Sequence, residues 1–249
     1  MSAYGDLAPV YDRLTADVDY GAWADYVERH FRRQKRPVHT VLDLACGTGT
    51  MSCILAERGY ELIGADASAD MLAVAQEKAQ TVAGIRPVFL QQSMEKLDLY
   101  GTVDACICLL DSVNYVTMPA RLARAFHRVW LFLEPGGLFL FDADTIEKLR
   151  GLDGQVFLDE DDDVFCLWRG VWSERRRCCT LGMDLFQRRG EHWQRSWEEH
   201  TERAYEQEEL ETLLRQAGFV QIRRWGELKL RAPGEHEQRI FFTAHKPMR

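Results

Sequence analysis

The stretch Val41-Leu42-Asp43-Leu44-Ala45-Cys46-Gly47-Thr48-Gly49-Thr50 decides the reading of this chain. An apolar run carrying one acid, Asp43, breaks at a glycine turn and continues as helix-like sequence from Met51 to Arg58. This predicts a buried strand that bends tightly into a helix. Glycine at the bend lets a ligand approach bare backbone, and the helix N-terminus offers unpaired N–H groups to a negative group. Beyond it, Ile63-Gly64-Ala65 leads into Asp66, an acid placed to accept from two ribose hydroxyls. Strand, glycine loop, helix, strand and acid together predict a nucleoside-bearing cofactor.

Two cofactor classes compete. The dinucleotide fingerprint is G-x-G-x-x-G, and Gly47-Thr48-Gly49-Thr50-Met51-Ser52 ends in Ser instead. The extra acid tips the balance. Asp43 stands near the strand end, where a pyrophosphate gains little from a carboxylate. A ligand carrying an ammonium and a sulfonium gains from it, because opposite charges attract strongly in a partly desolvated cleft. S-adenosyl-L-methionine is such a ligand.

At this point the residues match a family. From Asp43 to Met71 the chain resembles the class I SAM-dependent methyltransferases of the small-molecule type, methyltransferase domain 11 or 25. Val103 to Asp111 (VDACICLLD) resembles the family's fourth strand, and Leu133-Glu134-Pro135-Gly136-Gly137 its turn before the fifth. Leu213 to Phe219 (LLRQAGF) resembles the helix and turn before the sixth. The likeness spans roughly residues 35–145 and 204–246.

The resemblance implies roles. Asp43, Ala45 and the Gly47–Gly49 backbone hold the methionine end, and Asp66 binds the ribose, with Ala67 and Met71 beside it. Ser93 and Met94 sit at the adenine; many relatives have an acid at the Ser93 position, so here a hydroxyl or packing alone serves. Leu110 and Asp111 close the floor beneath the sulfonium. The N-terminal segment from Tyr4 to Leu14 resembles one that folds over the cofactor, with Tyr11 and Tyr20 beside it. Plainer readings stand alongside: Asp43 as a turn cap, Met94, Tyr11 and Tyr20 as core, Cys46 as a small packing residue, Asp111 as a helix N-cap.

Along the chain, strands are expected at 39–44, 60–65, 87–91, 103–109 and 136–142, with helices at 20–33, 50–58, 69–80 and 119–132. Alternation with apolar strands predicts an α/β fold, a doubly wound and mostly parallel sheet with the ligand at the carboxyl ends of the strands; the resemblance makes it a seven-stranded Rossmann-like methyltransferase sheet. From about 154 to 201 short runs with turn and charge punctuation predict a small antiparallel sheet. Helical spacing returns at 206–216, followed by two strands at about 219–225 and 238–245. The expected organisation is a cofactor-binding core (1–150 and 202–249) with an N-terminal helical cap, and an antiparallel lid (151–201) that meets the substrate and offers a homodimer surface.

Composition narrows the partners. With 31 Lys and Arg against 39 Asp and Glu, the net charge of −8 argues against a nucleic-acid substrate. The runs Arg175-Arg176-Arg177 and Arg188-Arg189 are expected to pair across strands with the acids at 159–163. The 7 cysteines show no metal-ligand spacing, so no metal is expected, and free thiols without a signal peptide suggest a cytoplasmic setting. No apolar run is long enough to span a membrane.

Methyl transfer from a sulfonium needs chiefly alignment of nucleophile and methyl, and a base only where the acceptor must lose a proton. No catalytic triad is evident. His200, Arg203 and Tyr11 are the catalytic candidates, His200 as base or donor and Arg203 as an anion contact; a polar hinge network is the plainer reading of the His200–Arg203 pair. Asn114 and Tyr115, in Asp111-Ser112-Val113-Asn114-Tyr115, are candidates for touching the acceptor, and this is not the [DN]-P-P-[YFW] motif of methylation at base amines. The expected function is methyl transfer to N or O of a small-molecule acceptor. The alternative is a SAM-binding sensor or scaffold without transfer. An NAD-dependent oxidoreductase is further behind, since no Tyr-x-x-x-Lys occurs.

Overall fold

The computed structural model describes residues 5–248; Tyr4, which opens the N-terminal motif, lies outside the described residues. The strands are β1 (Thr40–Leu44), β2 (Glu61–Asp66), β3 (Val88–Gln91), β4 (Val103–Cys108), β5 (Leu133–Asp144), β6 (Val156–Glu160), β7 (Val164–Ser173), β8 (Cys178–Arg189), β9 (His192–Arg203), β10 (Val220–Gly226) and β11 (Arg239–His245). The helices are α1 (Tyr11–Leu14), α2 (Tyr20–Phe31), α3 (Thr50–Glu57), α4 (Ala69–Ala79), α5 (Pro119–Phe132), α6 (Ile146–Gly151) and α7 (Gln207–Ala217). A seven-stranded sheet has the order β10-β11-β5-β4-β1-β2-β3. β11 runs against both its neighbours, and the other pairings are parallel. The expected doubly wound α/β sheet is therefore observed. Among the described residues no helix is long and apolar enough to cross a membrane.

Apolar strands demand cover on both faces. One face is packed by Trp23, Tyr26, Val27 and Phe31 of α2 together with Met51 and Leu55 of α3. The other is packed by Leu122, Phe126 and Val129 of α5 and Leu210 and Leu214 of α7. α2 starts where the Asp19 side chain accepts from Ala22 N at 2.9 Å. β5 is longer than its apolar run suggested because Leu133 already pairs with Val103, ahead of a register shift at the Pro135-Gly136-Gly137 turn.

The second sheet, β6-β7-β8-β9, is antiparallel throughout. β9 continues to Arg203, beyond the expected end at 201, because its ladder with β8 runs on to the Cys178–Arg203 pair. Alternation along β9 buries Glu198, His200 and Glu202 on one face, while Trp197 stands exposed on the other. The expected pairing of the arginine runs with the acids at 159–163 is not what forms. Arg13, from the N-terminal cap, meets Asp161 at 2.5 Å, whereas Arg177 pairs with Glu209 at 3.2 Å. Register is the reason: Arg177 precedes Cys178 at the far end of the β7–β8 hairpin, and Arg188 meets the acidic turn only through its backbone N–H to Asp163 O, at 2.8 Å.

Phe141 is fully buried, its ring stacked on Phe242 at 5.0 Å and close to Phe126 and Phe139 at 5.3 and 4.9 Å. Phe141→Ala should lower stability by about 3–5 kcal/mol, and a thermal melt should show a fall of about 2–4 °C per kcal/mol.

Candidate active site

Following β1 to its end leads into one cavity of about 410 Å³. It opens where β1 separates neighbours running to either side, the switch point at which open α/β sheets bind ligands. Asp43 and Ala45 come from β1 and its turn, Gly47 from the glycine loop, and Asp66 and Ala67 from the end of β2. Met71 comes from α4, Ser93 and Met94 from the turn after β3, Leu110 and Asp111 from the end of β4, and Tyr11 and Tyr20 from the N-terminal cap. The separation of Asp43 from Asp66 in sequence is erased by parallel pairing, which sets Asp43 beside Gly64.

Backbone strain concentrates here. Ala45, Leu110 and Asp111 all adopt positive φ, at 59°, 55° and 51°. Non-glycine residues hold such angles only when their surroundings over-determine them, commonly at functional sites. Gly47 has φ of 53°, and a Cβ there would meet nothing within 4 Å, so bare backbone faces open space. Gly49 does a different job. It is the left-handed N-cap of α3, and a Cβ would stand 2.9 Å from Ala75 Cβ and from the Phe89 ring. Gly49 therefore lets α3 close on α4 and β3 without itself lining the cavity.

The acids differ in their partners. Asp43 is 3% exposed and accepts from Ser52 Oγ at 2.6 Å. Burial pushes its carboxyl up to about 6, against the lowering effect of Ser52. Asp66 accepts from Gly47 N at 3.0 Å and Ser68 N at 2.8 Å, so it braces the glycine turn and starts α4; burial still raises its pKa. Burial, and after it Tyr20 and the nearby acids, also raise the Tyr11 hydroxyl, which stays a protonated donor.

Behind Asp111 lies an ionic hub that sequence reading missed. Arg239, on β11, bonds Asp142, meets Asp111 at 2.8 Å and Asp144 at 3.1 Å, and lies over the Trp23 ring at 5.5 Å. Lys148 meets the other Asp144 oxygen at 2.6 Å. Asp111 stands at the N-cap position of the 3-10 turn Ser112–Tyr115 but makes no side-chain capping bond; its carboxylate turns to Arg239. Glu202 of β9 brings a carboxylate oxygen within 4.8 Å of Asp111 and Asp144. Burial, reinforced by those two acids, raises Glu202 well above the ordinary carboxyl range, so it holds its proton. The two cations already answer Asp111 and Asp144. Only the closeness of β5, β9 and β11 in the folded chain assembles this group; Arg239 sits in an ordinary-looking Gln238-Arg239-Ile240 stretch.

A second missed network clamps the N-terminal cap onto the loop. Asp12 accepts from Thr48 Oγ1 at 2.6 Å and pairs with Lys78 at 2.6 Å; Lys78 in turn donates to Thr50 Oγ1 at 2.5 Å. From the lid side, Glu198 accepts from Asp6 N at 3.0 Å and Leu7 N at 3.1 Å.

Comparison with known proteins agrees with the geometry. Residues 41–137 match a methyltransferase domain model. YqeM of Bacillus subtilis (strain 168) is 33% identical over 246 residues, 98% of this chain and 97% of that one. The chain belongs to the class I SAM-dependent methyltransferases. The crystal structure of a S-adenosylmethionine-dependent methyltransferase from Clostridium acetobutylicum ATCC 824 superposes with a TM-score of 0.87 at 30% identity, covering 98% of this chain and 99% of that one. SAM-bound CalS10 of Micromonospora echinaspora, an amino pentose methyltransferase, shares the fold at 22% identity and a TM-score of 0.75, covering 95% and 96%. S-adenosyl-L-methionine is the cofactor of this methyltransferase.

Of the remaining candidates, His200, Arg203 and Asn114 fall outside the methyltransferase cavity. His200 is buried behind it, with the Tyr115 ring edge-on at 6.0 Å and Glu198 at 3.3 Å. Arg203 points to Glu209 at 3.1 Å and over the Tyr205 ring at 5.0 Å, within the hinge where the lid rejoins the core. Asn114 donates to Asp144 O and Arg203 O, tying β5 to β9. Tyr115 alone of this set lines the cavity. Gln92, Glu95 and Arg121 line it too, at the Ser93 end; Glu95 accepts from Arg121 Nε at 2.9 Å.

Removing one partner of a buried ionic group leaves its counter-charges unanswered. Arg239→Met should therefore destabilise the fold by about 3–5 kcal/mol, read by urea denaturation. Arg13→Met, at an exposed pair, should cost less than about 1 kcal/mol.

Proposed function

We propose that this methyltransferase transfers the methyl group to nitrogen of a small-molecule amine that enters beside Tyr115 and Asp111, under the lid. The observation that carries the reading is the convergence of Asp43, Asp66, Asp111 and the bare Gly47 backbone on one cavity. When bound, S-adenosylmethionine supplies an electrophilic methyl on a sulfonium and leaves as a neutral thioether.

The residues present fit that group. Asp43, buried with one hydroxyl donor, gains most from a cation. It and the open backbone of Ala45 and Gly47 would hold the methionine end. Asp66 keeps lone pairs for ribose hydroxyls beyond its two backbone donors. Ala67, Met71, Ser93 and Met94 would enclose the nucleoside, and Leu110 and Asp111 the reacting end, with Tyr11 and Tyr20 closing from above.

Nitrogen is favoured over oxygen by what surrounds the acceptor end. A neutral amine attacks with its own lone pair, whereas a hydroxyl must give up its proton to a base. The Tyr11 hydroxyl is held protonated, and His200 does not line the cavity. CalS10, of the same fold, acts on an amino pentose. Alignment carries most of the rate, and the residues that align are Tyr11, Leu110, Asp111 and Tyr115.

Calorimetry with S-adenosylhomocysteine tests the cofactor roles. Asp66→Ala should weaken binding about tenfold or more; unchanged affinity would place the ribose elsewhere. A protonated Asp43 attracts no cation, so affinity for SAM should fall as pH drops below about 6, and Asp43→Asn should bind weakly with a flat pH profile across that range. Turnover of hydroxyl acceptors alone, with no amine methylated in a small-molecule panel, would overturn the choice of nitrogen.

A further inference from the structure

At the opposite end of the seven-stranded sheet, where its parallel strands begin, lies a second cavity of about 480 Å³ that shares no residue with the first. That volume is within the range of small-molecule sites, about 300–1,000 Å³. Its walls come from the end of α2, the connection 33–38, the turn 135–137, the edge strand β10 and its neighbour β11.

Its charge is unlike that of the chain. Arg33, Lys35 and Arg36 reach it from the connection and Arg223 from β10. None of them forms an ion pair with a described residue. Their sequence neighbours that face elsewhere are paired: Arg32 with Glu28 at 3.1 Å and Arg224 with Glu211 at 2.9 Å. The acids on the wall are engaged. Asp104 accepts from His39 N at 2.8 Å and Thr40 N at 3.0 Å, and Glu134 accepts from Thr102 Oγ1. A helix C-terminus favours nearby cations, which accounts for Arg33 at the end of α2. It does not account for Arg223, which is brought from a strand to face the same space. Converging like charges repel, and a chain of net charge −8 has no general surplus of cations to place.

A buried donor or acceptor points the same way. His30 lies on the cavity wall, is 3% exposed, and its Nε2 has no hydrogen-bond partner. Such an atom is costly to leave unsatisfied. Burial, with Arg33 and Arg29 nearby, pushes His30 down to about 4, so it is neutral and able to carry a proton on Nε2. Trp225, whose ring meets His30 edge-on at 5.2 Å, Pro37, Val38 and Leu230 give the wall an apolar part, beside the polar Gln34, Thr243 and His245.

We propose that this cavity is a second ligand site, for a phosphate-bearing small molecule with a flat apolar part, of the nucleotide class. Arg33, Lys35, Arg36 and Arg223 hold the phosphate, and Trp225 packs the flat part. The site is independent of the acceptor assignment above, since it touches none of those residues.

Titration calorimetry on protein first saturated with S-adenosylhomocysteine keeps the probe out of the cofactor cavity. ADP should then bind. In the Arg36→Glu, Arg223→Glu double variant its affinity should fall about tenfold or more, with salt-sensitive binding in the wild type. S-adenosylhomocysteine affinity should stay the same in both, which also reports that the variant is folded. Pyrophosphate should bind more weakly than ADP, and Trp225→Leu should narrow that gap. No heat from ADP or pyrophosphate on the saturated wild type, or equal ADP binding by the double variant, would overturn the site.

Discussion

The hydrogen bond from Ser52 Oγ to the buried Asp43 carboxyl, at 2.6 Å, joins the last turn of β1 to the first turn of α3. Much of the site follows from it. It fixes the bend between strand and helix, within which Ala45, Gly47 and Gly49 take up positive φ. It also gives a carboxylate some reason to stay where water is excluded. One hydroxyl offsets part of the burial penalty, and the shortfall shows as a pKa near 6. A cation arriving at the cavity removes that shortfall. The same residue is thus a structural brace and, on the proposed reading, a source of binding energy for a positively charged ligand.

Around this fixed point the closing parts are held by ions and backbone donors more than by apolar contact. Asp12 and Lys78 fasten the cap to the glycine loop from the core side, and Glu198 fastens it from the lid side. Apolar packing at the same junction involves Leu7 and Val10 of the cap with Cys166, Met183 and Leu185 of the lid. Partly exposed ion pairs contribute little each. The cap is thus held by charge and by an apolar cluster that also takes in Tyr11, Leu14, Val164 and Trp168.

The core was legible in the sequence because two periodicities and a few glycines carry it. Residues 41–66 predicted strand, turn, helix and strand, and parallel pairing then had to bring Asp43 and Asp66 to one end. Arg239 was illegible for the opposite reason. Its near neighbours Glu235 and Glu237 are not its partners here; Asp142 and Asp144 lie on β5 and Asp111 just beyond β4, and only the sheet order brings them to Arg239. His200 and Arg203 were read from a local motif as possible acceptor contacts. Alternation on β9 sends the two side chains to opposite faces, His200 toward Tyr115 and Arg203 toward Glu209. The arginine runs 175–177 and 188–189 are expected to answer the acids at 159–163, whereas the partner is Arg13, delivered by the cap.

The two ends of the sheet also differ in a way the fold itself enforces. Helices that follow parallel strands start at the carboxyl end of the sheet, so α3 and α4 present positive dipole ends there; at α4 the Asp66 carboxylate accepts from Ser68 N and the Ser68 hydroxyl accepts from Met71 N. The same helices finish at the other end with negative dipole ends, and cations collect: Lys246 donates to Leu131 O and Leu133 O at the end of α5, at 3.2 and 2.7 Å. An acidic cofactor end and a basic far end are therefore the default for this architecture. That default explains a cation whose amine caps a helix, as Lys246 does. It leaves over a cation that comes from a strand, caps nothing and faces a cavity, as Arg223 does, and charge that the backbone does not require is the charge most open to use by a ligand.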